Sequence, residues 1–175
     1  EDYRISREVQ DRFALRSLDV SRYDIVISNA HAVAKGIRTG PRQLHLCYCL
    51  SPMRYAWDLK AQYLAEAGLD HGVKGALASV MLERMRRWDL ANTGSVRAFA
   101  TLSRYIAERI ERAYARDAVV IYPPVDTEFF APDNTPRGDF YVTASRFVPY
   151  KRVDLIAAAF RTMPRRRLIV IGDGP

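Results

Sequence analysis

The stretch FYVTASRFVPYKRVDLIAAAFRTMPRRRLIVIGDGP, residues 140–175, decides the fold. Its apolar opening predicts a strand over 140–145. Val153, Ile156, Ala157, Phe160 and Met163 then recur at helical spacing, predicting a helix over 153–163, and the continuous run LIVI predicts a second strand over 168–171. Two strands joined through a helix form a parallel βαβ unit, because parallel strands need a long crossover. Such crossovers are right-handed and open a doubly wound sheet. The expected class is α/β.

Upstream the same alternation repeats. EVQDRFALRSL sets Val9, Phe13 and Leu18 at roughly helical spacing, and YDIVISNAH follows as a short buried strand centred on 25–27. RTGPRQ is a turn, residues 44–48 read as a second strand, and Pro52 precedes a helix with apolar positions 53, 56, 57, 63, 64 and 67. After GLDHGVKG, a further helix aligns Val73, Ala76, Leu77, Val80, Met81, Met85 and Trp88, a stripe read as core packing. Residues 95–101 predict a strand, Ser103 an N-cap for a helix burying Ile106, Ile110 and Ala113, and 118–122 another β run. PPVDTEFFAPDNTPRG holds four of the nine prolines without periodicity and reads as an ordered connection. The expected organisation is residues 1–122 as one domain, 123–138 as a linker and 139–175 as the first βαβ unit of a second domain.

With 49% apolar residues in 175, the chain has ample material for a packed core. Its formal charge of +7 favours anionic partners (nucleotides, nucleic acid or a membrane surface), and eight of the 27 basic residues fall within 137–167. The two cysteines, Cys47 and Cys49, point to one face of a strand, poorly placed to bridge each other, which suggests a reducing compartment. No second Cys or His pair stands at metal-ligand spacing, so no zinc site is expected. No apolar run reaches the ~20 residues of a membrane helix and no signal peptide opens the sequence, so a cytoplasmic location is expected. The first residue is Glu1 and GDGP follows a strand-like run, so the chain is expected to be an internal fragment.

The chemistry concentrates in SRFVPYKR, residues 145–152. Ligands of open parallel sheets lie beyond the carboxyl ends of the strands, where Arg146 falls, and Lys151 and Arg152 lead into the following helix. A helix N-terminus carries partial positive charge and free amides, so Arg146 and Lys151 beside it suit a diphosphate. Arginine offers a flat fork for two oxygens and lysine a point charge. Against this stands the bland alternative of solvated loop cations, which is the reading for Arg165, Arg166 and Arg167. His45 is read as a satisfied buried histidine.

Four stretches together, YDIVISNAHAVAKG, HLCYCLSPMRYAWD, LSRYIAERIERAYARDAVVIYPPVDTEFF and FYVTASRFVPYKRVDLIAAAF with VIGDGP, resemble glycosyltransferase family 4. These are retaining enzymes of GT-B fold, and the likeness is to bacterial mannosyltransferase-like members that build surface polysaccharides. The resemblance implies two Rossmann-like, doubly wound domains, both incomplete here. Residues 1–122 would be the later part of the acceptor-binding domain, and 139–175 the start of the nucleotide-sugar domain. It implies transfer of a hexose such as mannose from a nucleotide-diphosphate sugar to a lipid-linked or oligosaccharide acceptor, without a metal or other cofactor, at the inner face of the cytoplasmic membrane with peripheral membrane contact.

By the same resemblance Arg146 and Lys151 bind the donor diphosphate and assist its departure as catalytic groups, while Ser51, Arg54, Tyr55, Asp58 and Ser103 are acceptor-side candidates. Asp154 and Asp173 are read as structural. The chain departs from the family at Leu50, where relatives usually carry a histidine near the transferred sugar; leucine can neither hydrogen-bond a hydroxyl nor shuttle a proton. Arg97 and Leu102 replace a family Asp and Asn. The family's N-terminal Gly-rich loop and its paired glutamates lie outside these residues, so the chain alone is expected to be inactive. Two alternatives are a GT-B nucleotide-sugar epimerase and a non-catalytic carbohydrate-binding remnant. A nucleic-acid module is disfavoured, because the aromatics are not interleaved with the basic residues as stacking platforms require.

Overall fold

The computed structural model describes Leu15 and residues 17–30, 32–132 and 135–174. The chain separates into two compact units, Glu1–Pro124 and Val125–Pro175. Most of the helix expected around Val9 and Phe13, and the terminal Pro175, lie outside the described residues.

The first unit is built on a four-stranded parallel sheet of β1 (Ile25–Ala30), β2 (Leu44–Cys49), β3 (Ala98–Thr101) and β4 (Ala118–Val120), in that spatial order. Between β2 and β3 run α1 (Lys60–Glu66) and α2 (Gly72–Ala91), and between β3 and β4 runs α3 (Arg104–Tyr114). Strands added one after another on the same side, through right-handed connections, send those connections across one face. The burial pattern agrees. Val26, Ser28, His45, Cys47, Cys49, Phe99 and Thr101 are buried on that face, whereas Ile25, Ile27, Leu44 and Val119 on the other are 57%, 68%, 39% and 64% exposed. The mixed α/β class with a parallel sheet is therefore established, with its helices on one side of the sheet among the described residues.

Two clusters fill the covered side. Cys47, Cys49, Val96 and Phe99 pack under Ile106, Ile110 and Tyr114 of α3, while Ala32, Val33, Met53, Tyr55 and Ala56 pack against Leu82 and Met85 of α2. Ser103 caps α3, its hydroxyl accepting from the Ile106 amide at 3.3 Å, and Ala115 ends the helix in the left-handed region at φ 52°. Inward positions of α3 are Ile106, Arg109, Ile110 and Tyr114, so Arg109 and Tyr114 take the place expected of Ala113, which is half-buried.

Two helix expectations need correction. The helix expected from Met53 begins only at Lys60; Met53 to Leu59 is a series of tight turns, with the Ala56 and Trp57 amides both donating to the Met53 carbonyl. In α2 the buried residues are Gly75, Leu82, Met85 and Asp89, while Val73, Leu77 and Val80 are 87%, 70% and 53% exposed. Met85 of the expected stripe is buried and Trp88 packs against the same cluster, but the N-terminal half of the stripe faces solvent, because the inner face there carries a glycine and, further on, a carboxylate.

The second unit holds β5 (Tyr141–Ala144), α4 (Val153–Arg161) and β6 (Leu168–Ile171), with β5 and β6 parallel and in register from Tyr141 opposite Leu168 to Ala144 opposite Ile171. This is the βαβ unit expected from residues 140–175. Val153, Ile156 and Phe160 form the more sheltered stripe of α4, and the Phe160 ring meets Tyr141 edge-on at 5.3 Å. None of the described residues of this unit is buried. Among the described residues no helix is long and apolar enough to cross a membrane.

Candidate functional site

The SRFVPYKR loop leaves the carboxyl end of β5 alongside the loop that leaves β6. The Ser145 amide donates to the Ile171 carbonyl at 3.0 Å and the Phe147 amide to the Asp173 carbonyl at 2.7 Å, so the two loops run side by side past the ends of their strands. Gly172 makes this closeness possible: its φ is +145° and a Cβ there would collide with the Ser145 carbonyl oxygen. A 3-10 turn over Pro149–Lys151 then brings the chain round, the Lys151 amide donating to the Val148 carbonyl at 2.9 Å, and α4 starts two residues later.

Between the turn and the helix sits Arg152, at φ 50° in the left-handed region that L-residues avoid. A non-glycine residue held there costs on the order of 1 kcal/mol or more, and such strain concentrates at functional loops. Its guanidinium reaches Asp154 in the first turn of α4, with both nitrogen–oxygen distances at 3.2 Å. The hydrogen bond from Arg152 holds the Asp154 carboxyl below its usual range. Arg152 therefore differs from its neighbours: its charge is answered locally by Asp154. Arg146 and Lys151 are exposed and have no ion-pair partner among the described residues; the Lys151 ammonium lies 5.7 Å from the Tyr150 ring centre. Arg146, just past the end of β5, and Lys151, two residues before α4, are thus two exposed cations of one loop that runs beside the glycine-bearing loop after β6. Arg165, Arg166 and Arg167 are exposed in the turn before β6.

The other candidates belong to the first unit. Ser51 is buried and its hydroxyl donates to the Pro52 carbonyl at 2.8 Å. Tyr55 is buried in the α2 cluster, edge-on to Tyr63 at 6.1 Å, and Arg54 is half-buried. Asp58 is exposed and pairs with Arg109 at 2.5 Å. Ser103 is committed to capping α3. Leu50, just after β2, is half-buried.

His45 is fully buried, its Nε2 2.9 Å from the Ser28 hydroxyl and its Nδ1 3.4 Å from that of Ser95, as expected of a satisfied core histidine; burial lowers its pKa. Cys47 and Cys49 are buried and free. The Cys49 thiol is pushed far up by its hydrogen bond to Cys47 and by burial.

A buried polar centre lies beneath these residues. Asp89 on α2 is fully buried; it takes the Lys35 ammonium on Oδ1, and on Oδ2 the Trp57 indole at 2.8 Å and the Tyr114 hydroxyl at 2.7 Å. Lys35 also donates to the Ala32 carbonyl at 3.0 Å. Sequence reasoning missed this centre. Its signals were a lysine inside the apolar AVAKG and an acid in register with Leu82 and Met85. Above Trp57 opens a cavity of about 210 Å³ lined by Pro52, Trp57, Asp58, Arg86, Arg109, Arg112 and Ala113.

Compared with protein-family models and with the curated proteins, the chain matches none.

Proposed function

We propose that this chain is part of a retaining glycosyltransferase of GT-B type, resembling family 4, in which the second unit opens the nucleotide-sugar domain and the first belongs to the acceptor-binding domain. The observation that carries the reading is the pair of uncommitted cations, Arg146 and Lys151, at the carboxyl end of β5 beside Gly172 and the start of α4. A second support is the exposed apolar face of the four-stranded sheet, which a doubly wound domain would cover with further helices.

The chemistry follows from charge. As the bond from the sugar to the diphosphate breaks, negative charge grows on the leaving phosphate. The Arg146 fork can share two of its oxygens and Lys151 can add a point charge, so the cations bind the departing group more tightly than the intact donor. Neither side chain has to leave an ion pair first, so little reorganisation is needed. Substrates would be a nucleotide-activated hexose, mannose first among those to try, and a lipid-linked or oligosaccharide acceptor.

The test is turnover in a protein that carries this chain with a complete donor domain. A panel of nucleotide sugars with a lipid-linked acceptor should release nucleoside diphosphate, and Arg146→Ala or Lys151→Ala should each slow it by about 10²-fold or more. Unchanged turnover in both variants would remove the diphosphate role.

A further inference from the structure

The cavity above Trp57 has the make-up of an anion site, and nothing in the reading of the SRFVPYKR loop accounts for it. Its basic groups come from two helices: Arg86 from α2, and Arg109 and Arg112 from α3. Three guanidiniums against the single carboxylate of Asp58 leave a surplus of two positive charges. Three like charges at one cavity repel one another, and an anion bound there would relieve that repulsion.

Arg109 is the informative member. Its side chain is only 8% exposed, and its Nη2 donates to Asp58 Oδ1 at 2.5 Å. Its Nε is buried with no hydrogen-bond partner among the described residues. Asp58 takes one prong of the Nε–Nη2 edge and so holds this guanidinium in place at the cavity wall. Arg112 spends only its Nε, on the Glu108 carbonyl at 3.3 Å. The Arg86 guanidinium lies over Trp57, its central carbon 4.4 Å from the ring centre, and Arg86 lines the cavity. Neither Arg86 nor Arg112 has an ion-pair partner among the described residues. Pro52, Trp57 and Ala113 give the cavity an apolar side.

We propose that this cavity binds the phosphate group of a phosphate ester, the dianion matching the surplus charge and the organic part resting on the apolar side. A phosphate monoester carries about −1.5 to −2 at pH 7, whereas a carboxylate would satisfy only half of it. The ester can be a soluble sugar phosphate or a lipid phosphate headgroup; the chemistry recognised is the same. The site lies wholly within the first unit and stands independently of the glycosyltransferase reading.

The test uses the chain carrying Arg146→Ala and Lys151→Ala, so that the loop after β5 cannot report. Tryptophan fluorescence is followed, because Trp57 forms a wall of the cavity. The probes are inorganic phosphate, mannose 1-phosphate and phosphatidylcholine vesicles doped with a polyprenyl phosphate, with acetate at matched ionic strength as control. Saturable binding of a phosphate probe, weakened about tenfold by Arg86→Gln and again by Arg112→Gln, is the expected result, and its preference between soluble ester and vesicle identifies the source. Both substituted residues are exposed, so the fold is not at stake as it would be with Arg109. No saturable response to any phosphate probe, a response matched by acetate, or affinity unchanged in the double variant would overturn the proposal.

Discussion

Asp89 shows how much one residue can organise. Its carboxylate joins the 3-10 turn that holds Lys35, the turns after β2 through Trp57, and α3 through Tyr114, so three separate segments are tied to α2 at one buried point. Burial and the neighbouring carboxylate push the Tyr114 phenol far up, so it serves as a donor throughout the physiological range. Asp89→Ala strands the Lys35 charge and two donors, and is expected to cost about 3–5 kcal/mol, read as a lower denaturant midpoint with an unchanged slope. His45 makes a different prediction. Burial lowers its folded pKa below the ordinary 6.5, so as pH falls past 6.5 the unfolded chain takes up a proton that the folded one refuses. The stability it contributes is complete above that value and is lost in acid. The midpoint of thermal unfolding should therefore drop between about pH 7 and about pH 5, and His45→Asn should flatten that part of the profile. His45 was legible as a core residue because it stands in an apolar strand. Asp89 was not, because a carboxylate on the inner face of a helix declares itself only when its partners are known, and these come from distant parts of the chain.

At the scale of elements, the strands and the βαβ unit were readable because each is a short apolar run closed by a turn signal. β6 spans the residues 168–171 expected of it, and α4 starts at Val153 as its periodicity implies. α2 was placed but its inner face only in part: Met85 and Trp88 pack as expected, while Gly75 and Asp89 also face inward, a choice fixed by what packs there. The segment after Pro52 has helical spacing at 53, 56 and 57 yet forms turns, since Met53 and Ala56 are buried from a non-helical backbone. The same separation explains the candidate sites. Arg146 and Lys151 could be picked out because they follow one strand in one loop, whereas Arg86, Arg109 and Arg112 meet through the packing of two helices that only the fold brings together. One element-level prediction concerns the end of α3. Ala115 holds φ 52° while its amide donates to the Glu111 carbonyl at 2.8 Å, so Ala115→Gly keeps the cap and removes the steric penalty. It should raise stability by about 0.5–1 kcal/mol in chemical denaturation, and a loss instead would mean that the left-handed turn is not held in solution.

For the whole molecule, the two units contrast. The first has two packed clusters on one side of its sheet, and the second, two strands and a helix, buries none of its described residues. Sheets of two strands rarely stand alone in water, so the first unit should hold most of the measurable stability. Adjacent residues of β1 test which side of the first sheet is covered. Val26 is 8% exposed and Ile27 68%, so Val26→Lys should cost several kcal/mol while Ile27→Lys stays within about 1 kcal/mol. The proposed function rests on the second unit and its loop. The most direct measurement is an amide NMR titration of the chain with a nucleoside diphosphate to about 10 mM, in the parent and in the Arg146→Ala/Lys151→Ala variant. Saturable shifts confined to residues 145–154 and 172–174, absent from the variant, are the predicted result. Shifts that persist undiminished in the variant, or no shifts in the parent at all, would contradict a diphosphate site built on Arg146 and Lys151.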